Sequence, residues 1–114
     1  MHVAKFEIDS SNLDQIVNHL IEFIDFDYEN HSTDMSVLAS EDRNFTNSSS
    51  QFNLIILKVS NGRLFIEVVG AAGGTGLLNI DWGSEKGFIK KVEKQLADYA
   101  TEFGLVLEKI DDDY

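Results

Sequence analysis

The chain has 114 residues, 43% of them hydrophobic, and a formal net charge of −11. That length and apolar content suit one domain, residues 1–114, with a single core. With no cysteine and no proline, disulfide frameworks, thiolate metal sites and cysteine nucleophiles are excluded, and the turns must be made by Gly, Asn, Asp and Ser.

The first element is a strand, "HVAKFEI" (2–8), with Phe6 and Ile8 on one face. Charge interrupts this terminus, so no secretory leader is expected, and no stretch has the ~20 apolar residues of a membrane helix. A cytosolic protein is the expectation, and the sequons at Asn44 and Asn47 are then incidental. Next, Leu13, Ile16, Val17, Leu20, Ile21 and Ile24 recur at i, i+3, i+4, i+7, i+8 and i+11. That is the buried stripe of an amphipathic helix. Ser10 or Ser11 is the expected cap, with Asp14 in the first turn, where the helix dipole favours an acid. His19 lies off the stripe and reads as solvated.

Residues 27–50 are polar and read as one long irregular stretch, a type that often serves binding. Within it only "MSVLA" suggests a short strand, at an edge. "FNLIILKVS" and "RLFIEVV" flank Asn61-Gly62, the strongest short signal for a hairpin. Leu54 to Leu57 are apolar on both faces, which predicts a central strand. "GLLNIDW" (76–82) reads as a further strand. A second helix follows from Ser84, with Phe88, Ile89, Val92, Leu96, Tyr99 and Phe103 as its buried stripe and Gly104 as its stop. "LVLEKI" is the last strand and "DDDY" a solvated tail. The order β-α-(β)-β-β-β-α-β predicts an α+β fold, a mainly antiparallel sheet of about five to six strands with two helices packed on it.

No catalytic constellation emerges. The run Gly70-Ala-Ala-Gly-Gly-Thr-Gly76 follows a strand, as phosphate-binding loops do. It lacks the Lys-Ser/Thr of a Walker loop and the Gly-x-Gly-x-x-Gly of a dinucleotide site, and a strand rather than a helix is expected after it. It reads as a hairpin tip where small residues allow close approach, with no cofactor implied. His2, His19 and His31 lack ligand spacing, Asp111 to Asp113 lack the rest of a calcium loop, and no serine sits in a nucleophile elbow. No metal is expected.

The charge is uneven. Residues 1–50 hold ten acids and two bases, or −8, and residues 51–114 hold ten acids and seven bases, or −3. Such a surface repels nucleic acid and complements a basic protein. Asp25, Asp27 and Glu29 follow the first helix, where acids oppose its dipole, and Asp34, Glu41 and Asp42 add to them. Phe26, Tyr28 and Phe45 interleave with these acids, as aromatic anchors do at interfaces. The expected partner-binding set is Asp25, Asp27, Tyr28, Glu29, Asp34, Glu41, Asp42 and Phe45.

On "DFDYENHSTD", "SEDRNF" and the overall charge, the chain resembles the immunity proteins of bacterial polymorphic toxins and contact-dependent growth inhibition. The resemblance implies a non-enzymatic protein that binds a cognate toxin, often a basic nuclease, and covers its active site. Two other readings stay open: a small enzyme or ligand-binding domain using Gly70–Gly76, and an adaptor or assembly subunit that pairs through a strand edge.

Overall fold

The computed structural model describes residues 1–44, 49–73 and 84–113. The order is β1 (His2–Ile8), α1 (Leu13–Phe23), β2 (Tyr28–His31), β3 (Met35–Asn44), β4 (Ser49–Ser60), β5 (Arg63–Gly73), α2 (Ser84–Phe103) and β6 (Leu107–Asp113). The six strands form one sheet in the order β2-β3-β4-β5-β1-β6, and every neighbouring pair is antiparallel. The fold is α+β, as the periodicities predict. Among the described residues no helix is long and apolar enough to cross a membrane.

Both helices cover one face of the sheet. Ala4, Phe6 and Ile8 of β1, Leu64, Ile66 and Val68 of β5, Ile55 and Leu57 of β4 and Leu38 of β3 point into this layer. Leu13, Ile16, Val17, Leu20 and Ile24 meet them from the α1 side, and Phe88, Ile89, Val92, Leu96 and Tyr99 from α2. Each fully buried aliphatic side chain here contributes about 1.5–3 kcal/mol over exposure. Phe103, which the spacing also places in the stripe, is 42% exposed; it stands at the last residue of α2, beyond the sheet's cover.

Local signals set several boundaries. Asn61 (φ 53°) and Gly62 (φ 74°) both take positive φ, closing β4 onto β5 with Ser60 opposite Arg63, as a two-residue type I′ turn requires. At the end of α2, Gly104 has φ 66°, and Leu105 N–H donates to the Ala100 carbonyl at 2.8 Å, the capping pattern in which a left-handed glycine turns the last amides back onto the helix. The cap of α1 is Asn12, not Ser10 or Ser11: its side-chain oxygen accepts from Gln15 N–H at 3.2 Å. Ser10 instead accepts from Asn12 N–H at 3.2 Å, one step upstream.

Three expectations change. The stretch 27–50 is not one irregular loop, because β2 and β3 occupy most of it, and β3 is the second strand rather than an edge. The aspartates at 111–113 are not a free tail, since they pair with Lys5, Ala4 and Val3 of β1. His19 is not simply solvated: its ring lies 5.6 Å edge-on from Tyr99 and 5.0 Å from Phe23, between the two helices. The expected strand over 76–82 lies outside the described residues.

Candidate protein interface

The acidic segment is organised by the turn from α1 into β2. Ile24 ends the helix and is buried, its N–H bonding the Leu20 carbonyl at 2.9 Å. Asp25 then emerges into solvent, Phe26 turns back against the core, and Asp27 is exposed again. Phe26 is therefore packing, not an exposed anchor. Asp27 also shapes the backbone. Its Oδ2 accepts from Glu41 N–H at 2.8 Å, while its own N–H donates to the Ala39 carbonyl at 2.9 Å. These two bonds fasten the turn to β3 and bring Asp25, Asp27 and Glu41 to one end of the β2–β3 ribbon.

Tyr28 stands at that end on the first residue of β2, 53% exposed and opposite Ala39; its phenol oxygen accepts from Asn30 Nδ2 at 3.1 Å. The next residue points the other way, because successive strand side chains alternate. Glu29 thus shares the helix side of the ribbon with His31, whose ring nitrogens contact Glu29 Oε1 at 3.0 Å and Ser36 Oγ at 2.9 Å. Asp34 lies at the far turn, accepting from Ser32 Oγ at 3.4 Å, with its carbonyl taking Val59 N–H at 2.8 Å. The four residues of β2 and the turn after it carry Asp34 to the opposite end of the ribbon from Tyr28, about 10 Å of strand away. Asp42 is a β3 residue opposite Gln51, and Phe45 lies outside the described residues. The structure thus gathers Asp25, Asp27, Tyr28 and Glu41, turns Glu29 to the other face, and sets Asp34 apart.

The glycine run is only partly a turn element. Gly70 to Gly73 belong to β5, where Gly70 pairs with His2 on one side and Asn53 on the other; Gly74 to Gly76 lie outside the described residues. Gly70 belongs to a row that sequence reading missed. On the helix side of the sheet His2, Gly70, Asn53 and Ser40 stand opposite one another across four strands. Asn53 is fully buried; it donates to Ser40 Oγ at 3.2 Å and accepts from Gln51 Nε2 at 2.5 Å. Buried amides persist only where they are satisfied, and this trio satisfies its members. The alternation of Gln51 and Asn53 with Phe52 and Leu54 was the available signal, since it puts polar groups on the face that carries Ile55 and Leu57 two residues later.

The second missed feature is the opposite sheet face. Across β2, β3, β4, β5 and β1 the register aligns Tyr28, Ala39, Leu54, Val69 and Val3. An apolar row therefore crosses the side that carries no helix. Phe52 (48% exposed) and Phe65 (38%) lie to either side of it.

Among the described residues no group of three His, Asp or Glu is placed to hold a metal ion. Tyr99 is the buried titratable group with a marked shift: burial pushes its phenol above the usual value near 10, partly offset by the Ser10 hydroxyl. It sits between the helices, donating to Gln15 Oε1 at 2.9 Å, as packing rather than catalysis.

No curated protein and no solved structure matches the chain. A family model does match, over residues 3–100, which run from β1 through most of α2. The chain belongs to the family of unknown function DUF6054.

Proposed function

We propose that this protein is a non-enzymatic, immunity-type inhibitor that binds a basic protein, a cognate toxin domain, through the acidic end of its β2–β3 ribbon. The carrying observation is the convergence of Asp25, Asp27 and Glu41 around exposed Tyr28, held there by the Asp27 bond to Glu41 N–H. Asp25 and Asp27 stand exposed two residues apart, and a lysine- or arginine-rich surface would complement their charge on binding. An aromatic side chain beside them offers an anchor with little rotamer entropy to lose. The −8 charge of residues 1–50 adds a long-range field that speeds encounter with a basic partner.

The ligand-binding alternative loses part of its loop, because Gly70 to Gly73 are strand residues. The edge-pairing alternative meets a short outer strand, β2, whose four residues "YENH" are all exposed and carry a charge, a pattern that blunts edges against pairing.

The test is affinity capture from the source cells, identification of the retained protein, and assay of that protein's own activity with the purified chain added. Loss of activity that saturates at one chain per partner supports inhibition. Full activity in the saturated complex overturns it.

A further inference from the structure

We propose that the helix-free face of the sheet is the contact between two copies of this chain. The face shares Tyr28 and Glu41 with the acidic end, but the contact rests on the middle strands of the sheet and needs no basic partner. Four observations carry it.

The first is continuity. The row from Tyr28 to Val3 is apolar across five strands, and Val37 and Ile56, opposite each other in the next row, widen it. Both helices pack on the other side, and no element among the described residues covers this one. A contiguous apolar patch of this kind on a soluble chain marks an interaction surface.

The second is size. The middle strands β3, β4 and β5 share nine paired positions, and β1 adds seven residues; at about 3.3 Å along the strand and about 4.8 Å across it per residue, they present about 540 Å². That lies at the small end of specific interfaces and suits a dimer formed at micromolar concentration.

Charge is the third, and it selects the occupant. Among the residues whose side chains are described, the face carries Lys5, Lys58 and Arg63 against Glu7, Glu41, Glu67, Glu108 and Asp111 by register. These eight side chains sum to −2, in a chain of −11. Arg63 pairs with Glu7, and Lys5 stands opposite both Glu67 and Asp111. A strongly basic partner gains little from such a surface. A second copy meets it with little net repulsion, since most of its charges are already opposed by partners on the same face.

The fourth is symmetry. The seam between β4 and β5 has three strands on either side. A two-fold axis along that seam stacks the sheet on its own image, as two sheets pack about 10 Å apart in a sandwich. Sheet twist splays the outer strands, so the contact concentrates on the middle strands and leaves the acidic end of β2 free.

Sedimentation at tens of micromolar tests the proposal. The wild-type chain should run at about twice its 12.8 kDa mass. Phe52→Ser with Phe65→Ser should raise the dimer dissociation constant at least tenfold, while Phe103→Ser, an equally exposed aromatic on the helix side, leaves it unchanged. Should the double variant lose its circular-dichroism signature, Lys58→Glu, at an exposed position of the same face, serves in its place with the same expected weakening. A monomeric wild type, or a dimer indifferent to the face variants, overturns the proposal.

Discussion

Asp27 gives the sharpest test of how the acidic end is built. Its carboxylate accepts a backbone N–H from Glu41, fourteen residues away, at 2.8 Å, whereas Asp25, two residues earlier, is exposed and follows the helix cap. Both are aspartates in the same acid cluster, so substituting either relieves about the same like-charge repulsion. Only Asp27→Ala also removes an acceptor. A hydrogen bond to a charged group contributes about 1.5–3 kcal/mol when shielded, and an exposed one less, so a loss of about 1–2 kcal/mol is expected. Asp25→Ala should stay within about 0.5 kcal/mol of wild type, as surface changes away from such features do. With a urea slope of about 1–3 kcal/mol/M for a small domain, the Asp27→Ala midpoint should fall about 0.3–2 M, well below that of Asp25→Ala. Asp27→Asn, which keeps an acceptor oxygen, should fall between them. Equal midpoints for Asp25→Ala and Asp27→Ala would refute the idea that this bond fastens the turn to β3. One practical consequence is that charge reversal at Asp27 confounds binding with folding, and Asp25 with Glu41 is the cleaner pair, since the Glu41 main chain rather than its side chain makes the bond.

Leu20 is fully buried between α1 and the sheet, and Leu20→Ala should lower unfolding free energy by about 2–5 kcal/mol in chemical denaturation; an unmoved midpoint would mean the stripe is not core. Tyr99 keeps its phenolic proton in the folded chain to a higher pH than in the unfolded chain, because burial raises its pKa above 10. Above pH 10 the unfolded state therefore binds fewer protons, and stability that is constant below that pH declines as pH rises toward the folded-state value. Tyr99→Phe should flatten this alkaline decline in denaturation midpoints measured from pH 9 upward, and an unchanged slope would contradict the assignment.

The helices were legible because a 3.6-residue period is written in consecutive side chains, and the turns because Asn61-Gly62 and Gly104 tolerate a backbone that other residues resist. The ribbon was not. "YENH" is polar on both sides and forms a strand by pairing with β3, a contribution from tertiary context that local propensity does not carry. Leu54 to Leu57 identified an inner strand correctly. A strand apolar on both faces usually has both covered, whereas here Ile55 and Leu57 are buried and Leu54 and Ile56 are only half-buried. Alternation shows that both faces are apolar and leaves open which one the helices choose. The acid cluster was legible as composition alone: Asp25, Asp27 and Glu41 converge through a hydrogen bond between segments fourteen residues apart, while Glu29 turns away by the alternation of a strand that the sequence did not reveal.

That the acidic end receives a basic protein is tested most directly by association kinetics with the captured partner at low and physiological salt. Wild type is compared with the variant carrying Asp25→Lys and Glu41→Lys. Steering by exposed charge acts on the association rate and fades as the screening length shrinks to about 8 Å at physiological ionic strength. The variant should associate at least tenfold more slowly at low salt, the gap should narrow at physiological salt, and dissociation should change less than association. An association rate equal to wild type at low salt would contradict the proposed role of the acidic end.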